Sequence, residues 1–358
     1  MTKDTAWLEP IKMMQRDLAM TTLTLQYEKM PNDFNPKDPI AHQRAVEDAN
    51  YHLNYLLVSL DTESPILFQA YLKWAKTLFQ HLHLPDTTLD LFFQCLKQVL
   101  HDKMRQRQLP AEAVHRITSA IDSALLSLET SAIEAPSQIK PDNPLYNELT
   151  EYTRYLLDAD RHAAANLVQT LLKNGADPKV IYKHLFYPFQ IELGHMWHQN
   201  KISIAQEHYA TAATQYIMSL MYDKILTTPK TDKSLLATCV SGELHEMGIR
   251  MICDYLECYG WNTYFLGSNM PNHGILQMAR DKNPHVIAIS CTMTYQIPKV
   301  VDLISMLRKN GLDTPMLVGG YPFNLDPDLW KTTGADGCAS SFDEIHSLVE
   351  TVTGRDQQ

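Results

Sequence analysis

Short runs of consecutive apolar residues alternate with stretches of helical periodicity in the last third of the chain. The apolar runs predict strands at 234–240, 261–265, 285–290, 316–318 and, more briefly, near Cys338. Between the runs, apolar residues recur every three or four positions and predict helices at about 247–259, 275–281, 297–309 and from Phe342 onward. Strands and helices that alternate in this way are typical of a parallel sheet with helices on both faces. We therefore predict an α/β domain over residues 233–358.

The first two thirds of the chain show helical periodicity without strand-like runs. Residues 1–135 predict helices at about 7–28, 40–59, 66–81, 89–105 and 111–128, with proline-containing breaks at 31–36, 61–65, 84–86 and 109–110. The pattern in residues 145–228 predicts four more helices, at 146–158, 161–174, 178–197 and 204–225. Four helices of this length suit a four-helix bundle. The proline-rich stretch 136–144 is typical of a linker. The predicted organisation is an all-α domain (1–135), a linker (136–144), a four-helix bundle (145–228) and the α/β domain.

The composition is that of a globular protein, with 45% hydrophobic and 20% charged residues in a chain of 358. A chain of this length can form two or three domains, each with its own core. No apolar run reaches the length of a transmembrane helix and no signal-peptide core is visible, so we expect a cytoplasmic protein without membrane contact. Six scattered cysteines, none in a C-x-x-C pair, indicate reduced thiols. The net charge of −10 argues against general affinity for nucleic acids.

Three short motifs follow predicted strands of the α/β domain. They are E-L-H-E-M-G at 243–248, S-C-T at 290–292 after 41 intervening residues, and G-G at 319–320 after 26 more. Because parallel strands end at one edge of a sheet, where such sheets bind ligands, the motifs are expected to share one site. Together they are similar to the cobalamin-binding pattern D-x-H-x-x-G, S-x-L and G-G. This part of the chain resembles the B12-binding domain of corrinoid proteins, which implies a flavodoxin-like, Rossmann-type sheet.

The resemblance implies a role for each polar motif residue. His245 would bind cobalt from below in place of the cofactor's own base, and the nucleotide tail would enter the protein. Glu243 would accept the second imidazole N–H, as metal-bound histidines usually require, and the Ser290 hydroxyl would hold that carboxylate. The family has Asp at the position of Glu243 and Leu at that of Thr292. The relay geometry is therefore expected to differ, and the Thr292 hydroxyl can add a contact.

The glycines of the motifs have a common expected role. Gly248, Gly319 and Gly320 carry no side chain, so the backbone can approach the buried tail of the cofactor closely. The alternative interpretation is an ordinary flavodoxin-like domain in which His245 lies in a surface loop.

The predicted four-helix bundle carries a second motif, W-x9-E-H, in which Glu207 and His208 follow Trp197. It resembles the lid of CarH-type photoreceptors. The resemblance implies that Trp197 packs on the adenosyl group of adenosylcobalamin, that Glu207 hydrogen-bonds this group and that His208 shapes the pocket. The histidine after the tryptophan, here His198, is the family's candidate to bind cobalt from above after illumination, with His208 and His195 as weaker candidates. Taken separately, Trp197 also fits a core aromatic, and Glu207 with His208 a cluster at a helix start.

Residues 1–135 lack the basic surface of a DNA-binding domain. They contain 13 Lys and Arg against 17 Asp and Glu, whereas a DNA reader needs cations to neutralise phosphates. We expect a helical sensor or docking domain instead. A helical domain fused to a lid and a B12 domain resembles the photocobilins, which bind both B12 and biliverdin. Residue types suited to a bilin, each of which also fits an ordinary core or surface position, are Tyr51, His52, Tyr55, Tyr71, Trp74, His81 and His83, with Cys95 able to form a thioether.

The resemblances imply a cobalamin-dependent photoreceptor without catalytic residues. Light would release adenosyl, move the lid and change contacts within a homo-oligomer or with an unidentified downstream protein. Three alternatives stay open. A corrinoid carrier of a methyltransferase system has the same domains but needs an open upper face, which the bulky lid motif opposes. A mutase would need a separate substrate barrel, for which the chain has no room. A B12-binding antirepressor would dock on a transcription factor.

Overall fold

The computed structural model describes residues 5–31, 38–128 and 136–354. The chain forms two compact units, Met1–Glu134 and Ala135–Gln358. The predicted break at 31–36 lies almost wholly outside the described residues, as does the predicted end of the N-terminal domain at 129–135. Within the described ranges, no helix is both long enough and apolar enough to cross a membrane.

The first unit is helical, as predicted. After a 3-10 turn at Ala6–Leu8, its helices are α1 (Glu9–Lys29), α2 (Pro39–Asp61), α3 (Pro65–His81), α4 (Thr88–Arg105) and α5 (Ala111–Leu128). Asp38 begins α2 by accepting the backbone N–H groups of Ile40 and Ala41, which have no partner inside the helix. The apolar faces of the helices form one core, in which Leu72 and Phe93 are fully buried.

The second unit begins with a helical bundle, which we call the lid. Its helices are α6 (Tyr146–Leu157), α7 (Arg161–Lys173), α8 (Pro178–Ile181), α9 (Tyr187–His198), α10 (Ile204–Ser219) and α11 (Tyr222–Ile225). The helix predicted over 178–197 is present, but a π-helical turn at Tyr182–Phe186 divides it into α8 and α9. Pro188 explains this turn. It has no N–H to donate to the carbonyl of His184, which instead accepts from the side chain of Asn143.

The rest of the second unit is the predicted α/β domain. Its strands are β1 (Ser234–Cys239), β2 (Asn262–Phe265), β3 (Val286–Ser290), β4 (Met316–Gly319) and β5 (Gly337–Cys338). Within the described residues they form a five-stranded parallel sheet in the order β2-β1-β3-β4-β5. Its helices are α12 (Met247–Glu257), α13 (Asn272–Lys282), α14 (Ile297–Lys309), α15 (Tyr321–Leu325), α16 (Trp330–Thr333) and α17 (Phe342–Gly354). The predicted combination of an α/β sheet with all-α regions is confirmed.

The lid and the α/β domain share one apolar core. Met251 and Tyr255 of α12 and Phe342 of α17 are buried in the same cluster as the interior of the lid. Burial therefore attaches the lid to the helix that follows the motif at 243–248.

Candidate functional site

Three strand ends lie side by side at one edge of the sheet. In the parallel register, Cys239 of β1 pairs with Ser290 of β3, and Ser290 pairs with Gly319 of β4. The loops after these strands carry the remaining residues of the three motifs. The motifs therefore meet at the carboxyl edge, where parallel sheets bind ligands.

The centre of this edge is a hydrogen-bonded group around the carboxylate of Glu243, which is 1% exposed. One carboxylate oxygen accepts the backbone N–H of His245 at 2.9 Å and lies 2.6 Å from His245 Nδ1. The other accepts the backbone N–H groups of Thr292 at 2.8 Å and Met293 at 3.0 Å. These two N–H groups take the role that the sequence suggested for the Ser290 hydroxyl, because the carboxylate reaches the turn after β3 rather than the last residue of the strand.

The contact with Glu243 sets the protonation of both partners. Burial alone would raise the pKa of Glu243, but hydrogen bonds from His245 and Met293 outweigh it and lower the pKa to about 2. The same bond raises the pKa of His245 against the opposing effect of burial. Neutral His245 then keeps its proton on Nδ1, toward Glu243, and directs the lone pair of Nε2 away from it. Its side chain is 59% exposed, so this nitrogen is available to a metal.

Residues that the sequence analysis did not identify hold the loop of Glu243 in place. Asn269, at a φ of 52°, donates its N–H to the Glu243 carbonyl and accepts the N–H of Gly242 on its side chain. Gln296 donates to the carbonyl of Gly242 at 2.9 Å. An asparagine in a turn tolerates positive φ, which is readable from sequence, but nothing in the sequence identifies its distant partners.

The structure gives a different explanation for each glycine of the motifs. A Cβ at Gly320 would lie 2.1 Å from the carbonyl oxygen of Cys291, and the φ of +116° strains any other residue. Gly320 is thus explained by the packing of the chain itself. At Gly319 a Cβ would meet the Ala339 carbonyl at an ordinary 3.6 Å, and at Gly248 it would meet no atom within 4 Å. Open space therefore lies at the start of α12.

A second hydrogen-bonded group lies on the lid, around Glu207. The Glu207 carboxylate lies 2.6 Å from His208 Nδ1 and accepts the Thr211 hydroxyl at 3.1 Å. That hydroxyl also lies 3.2 Å from Oε1 of Gln190 on α9, whose amide nitrogen is buried without a partner in the described part of the chain. The W-x9-E-H motif identified Glu207 and His208. Gln190 was missed because its contact joins two different helices.

The other lid residues of the prediction lie near the end of α9. Trp197 is half-buried against the lid core. His195 has a buried Nδ1 without a partner among the described residues, and burial lowers its pKa. His198 is half-buried at the end of α9, whereas the side chain of His208 is 74% exposed. The three predicted lid histidines therefore differ in burial.

The lid group lies within electrostatic range of the strand-edge group, because the Glu207 carboxylate helps to raise the pKa of His245. A metal held in a macrocycle needs an axial donor from the protein, and His245 with Glu243 behind it is such a donor. Within residues 5–31, 38–128 and 136–354, no group of three or more His, Cys, Asp and Glu could hold a bare ion. His245 with Glu243 behind it fits the donor of a metal held in a macrocycle, and open space lies at Gly248 of the same motif.

In the first unit, aromatic residues suited to a bilin form a stacked group. The rings of Tyr55 and Tyr71 stack with centroids 3.8 Å apart, and Trp74, which is 38% exposed, stacks on Tyr71 at 6.2 Å. The Tyr71 hydroxyl lies 2.6 Å from Nδ1 of His52, whose pKa burial lowers to about 3. Cys95 is fully buried in the core. The stacked group is thus partly exposed, while His52 and Cys95 are interior residues.

Comparison with known families places two B12-binding domains in the second unit. Residues 233–346 match the family described as B12 binding domain, and residues 148–222 match a second family with the same description. The two matches cover the α/β domain and most of the lid. The first unit lies outside both.

Individual relatives are distant. A trimethylamine corrinoid protein from Methanosarcina acetivorans is 24% identical over 203 residues, which cover 55% of this chain and 93% of that protein. The HTH-type transcriptional repressor CarA from Myxococcus xanthus is 24% identical over 213 residues, or 58% of this chain and 70% of the repressor. The solved structure of the Methanosarcina barkeri monomethylamine corrinoid protein matches with a TM-score of 0.51 and 18% identity, covering 58% of this chain and 99% of its own. At this identity the structural match shows a shared fold.

Proposed function

We propose that this chain, which carries two B12-binding domains at residues 148–222 and 233–346, is a light-sensing signalling protein that uses adenosylcobalamin. The observation that carries the proposal is the lid motif. Trp197, Glu207 and His208 have the spacing of a CarH-type lid, directly upstream of a B12-binding domain. The match to a transcriptional repressor supports a regulatory role rather than catalysis.

His245 would hold cobalt through Nε2, and Glu243 would keep the imidazole in the required orientation. The open space at Gly248 admits the tail of the cofactor beside α12. The same edge of the sheet carries Ser290, Thr292 and Gly319. When bound, adenosylcobalamin supplies a cobalt–carbon bond that light cleaves.

At the upper face, the lid recognises adenosyl. The flat ring of Trp197 stacks on the nucleoside and excludes water, and Glu207, oriented by Thr211, accepts hydrogen bonds from ribose hydroxyls or the adenine amine. His198 is the proposed cobalt ligand after adenosyl has left, with His195 and His208 as weaker candidates. The loss of adenosyl from beneath Trp197 and Glu207 would remove contacts that hold the lid, so the lid would act as a two-state element biased by its ligand.

Titration and illumination of the full-length chain test this function. Adenosylcobalamin should bind with the spectrum of histidine-ligated cobalt, and blue or green light should convert it irreversibly to the spectrum of cobalt with two histidines. Trp197→Ala should weaken binding of adenosylcobalamin more than binding of hydroxocobalamin, which lacks the nucleoside. A light-stable adenosyl complex, or equal loss for both ligands, would contradict the function. In His198→Ala, a persisting two-histidine spectrum would assign the upper position to another histidine.

A corrinoid carrier of a methyltransferase system is the second candidate, because the match spans 93% of a trimethylamine corrinoid protein. A carrier must accept and release a methyl group at its upper face. Methylcobalamin should then bind at least as tightly as adenosylcobalamin, and Trp197→Ala should not change their relative affinity. Parallel titrations of the two cobalamins distinguish the candidates.

We also propose that the first unit binds a linear tetrapyrrole on the stacked group of Tyr55, Tyr71 and Trp74. The cavity beside His52 has a volume of about 50 Å³, enough for about four water molecules, so it excludes a tetrapyrrole from the core. A flat pigment can instead stack on the partly exposed rings.

Biliverdin titration tests this second chromophore. The full-length chain should give a long-wavelength absorption band distinct from that of free pigment. Trp74→Ala should weaken the band, whereas Trp330→Ala, in the α/β domain, should leave it unchanged. A spectrum that stays that of free biliverdin would remove the bilin without affecting the cobalamin proposal.

A further inference from the structure

A buried carboxylate joins the lid to the helix that follows the loop of His245. Asp254 of α12 is 4% exposed. Its Oδ2 accepts the hydroxyl of Tyr182 at 2.8 Å, and its Oδ1 accepts the hydroxyl of Tyr222 at 3.1 Å. Tyr182 begins the π-helical turn and Tyr222 begins α11. Two separate elements of the lid therefore bind one residue of the α/β domain.

The same face of α12 makes two further polar contacts with the lid. Glu246, Arg250 and Asp254 are spaced four residues apart and so share one side of the helix. Glu246 accepts the side-chain amide of Gln215 at 3.3 Å, and Arg250 donates to the hydroxyl of Ser219 at 3.1 Å. We call this row of contacts, completed by Asp254 and its two tyrosines, the polar seam.

We propose that Asp254 is a positioning residue, which sets the register of the lid on α12 and thereby the gap between His245 below and Trp197 above. The inference rests on the proposed function, since the size of this gap matters only if an adenosyl group fills it. Apolar contacts in the shared core are non-directional. Directional hydrogen bonds at both carboxylate oxygens fix one position.

Energetics support a positioning role over a stabilising one. Burial raises the pKa of Asp254 to about 6, although hydrogen bonds from the two tyrosines and the charge of Arg250 oppose the rise. A protein that carries an apolar residue of similar volume at such a site is often no less stable than one that carries the charged residue. The buried carboxylate of Asp254 is therefore better explained by the geometry that it imposes.

Two tyrosine variants provide a matched test. Tyr182→Phe removes one bond of Asp254 and keeps the ring. Tyr152→Phe removes an equally buried hydroxyl whose bond, to Thr214 at 3.1 Å, lies wholly within the lid. The first readout is the affinity for adenosylcobalamin divided by the affinity for hydroxocobalamin. The contribution of His245 is common to both cobalamins and therefore cancels in this ratio. Tyr182→Phe should lower this ratio about tenfold, whereas Tyr152→Phe should leave it within about twofold of wild type.

Two variants of Asp254 itself separate hydrogen bonding from volume. Asp254→Asn keeps an acceptor and a donor for the tyrosine hydroxyls and should retain the ratio. Asp254→Leu keeps the branched shape without a polar atom and should lower the ratio as Tyr182→Phe does. An unchanged ratio in Asp254→Leu, or equal losses in Tyr182→Phe and Tyr152→Phe, would overturn the positioning role.

Hydrogen exchange of the cofactor-free protein separates failure of this inference from failure of the proposed function. Amides of the π-helical turn at Tyr182–Phe186 and of α11 should exchange faster in Tyr182→Phe than in Tyr152→Phe, because Tyr152 bonds α10 and only the loss of the Tyr182 hydroxyl loosens the polar seam. Equal exchange in the two variants would overturn the inference. A wild-type protein without preference for adenosylcobalamin would contradict the proposed function, and the exchange result would still decide the role of Asp254.

Discussion

At the scale of single residues, Glu243 joins two loops that are distant in the chain. Its carboxylate binds His245 in its own loop and the backbone N–H groups of Thr292 and Met293, which lie 49 and 50 residues later. An aspartate at this position would be one methylene shorter and would hold its carboxylate closer to the backbone of its own loop. The glutamate is therefore matched to the distance between the loops.

Glu243→Gln should weaken hydroxocobalamin binding by about 10- to 100-fold, the usual effect of removing the partner of a metal-bound histidine. The glutamine amide cannot accept all four hydrogen bonds of the carboxylate, so the imidazole of His245 loses its fixed orientation. Glu257→Gln is the control, because Glu257 also accepts a backbone N–H, from Thr263, but lies outside the loop. Equal affinity in Glu243→Gln and wild type would show that the carboxylate does not support the cobalt ligand, and His245→Ala should abolish the histidine-ligated spectrum.

Two glycine variants distinguish a glycine that is needed for packing from one that leaves space for a ligand. Gly320→Ala should lower the free energy of unfolding by about 1–3 kcal/mol or more. The added methyl group would collide with the carbonyl of Cys291, and the positive φ of this position would strain an alanine. Gly248→Ala should leave stability unchanged or slightly higher, since an added Cβ meets nothing. If the open space admits the cofactor tail, Gly248→Ala should nevertheless weaken cobalamin binding. Denaturant unfolding and cobalamin titration of both variants measure the two effects.

The residues of the site that the sequence could identify are those with local spacing. Glu243 and His245 are two positions apart, and the W-x9-E-H motif spans a single turn between two helices. Met293, Asn269 and Gln190 act through partners on other loops or helices, so the linear pattern contains no sign of them. The expected role of the Ser290 hydroxyl failed for the same reason, because the exact reach of the Glu243 side chain depends on tertiary structure.

At the scale of elements, buried strands and amphipathic helices could be predicted because burial sets their pattern. The predicted bounds of β3 and α14 agree with the structure to within one residue. The π-helical turn was missed although Pro188 indicates an interruption, since the apolar period continues through it. The short helices α15 and α16 comprise about one turn each, which is too short for a period to appear.

The polar seam should make stability depend on pH. The pKa of Asp254 is about 6 in the folded protein, above its ordinary value of 3.8, so the folded state holds this proton more tightly than the unfolded state. The stabilisation contributed by protonated Asp254 is therefore complete below pH 3.8 and is lost as the pH rises through 6. Asp254→Asn has no such proton, so its stability relative to wild type should increase by about 2 kcal/mol between pH 4 and pH 7. Unfolding at both pH values measures this difference, and a constant difference would contradict the raised pKa.

At the scale of the whole molecule, the chain combines a cobalamin unit with a helical unit that no matched family covers. The net charge of −10 and the excess of acidic residues in 1–135 oppose direct contact with DNA. An output through protein contacts is therefore expected, either between copies of the chain or with an unidentified partner. Movement of the lid is the event that would change such contacts.

Illumination of the adenosylcobalamin-bound protein should change its oligomeric state, because a moving lid alters surfaces that neighbouring copies can share. Light scattering before and after illumination, over a wide concentration range, measures the mass. The hydroxocobalamin-bound protein is the control, since light has no adenosyl group to release there. Identical masses in both states would require a different output, such as a partner that reads the lid directly.

The bonds between Glu243 and the turn after β3 also order the events of biosynthesis. Glu243 leaves the ribosome 49 residues before Thr292, the first backbone group outside its own loop that holds its carboxylate. β3 lies between β1 and β4 in the sheet, so these anchors arrive only when a parallel pairing across a long connection has formed. Pairings of this kind form slowly compared with helices. If His245 holds cobalt as proposed, cobalamin loading should therefore be a late event, because a nascent chain stalled before residue 292 would lack the backbone groups that fix Glu243 behind His245.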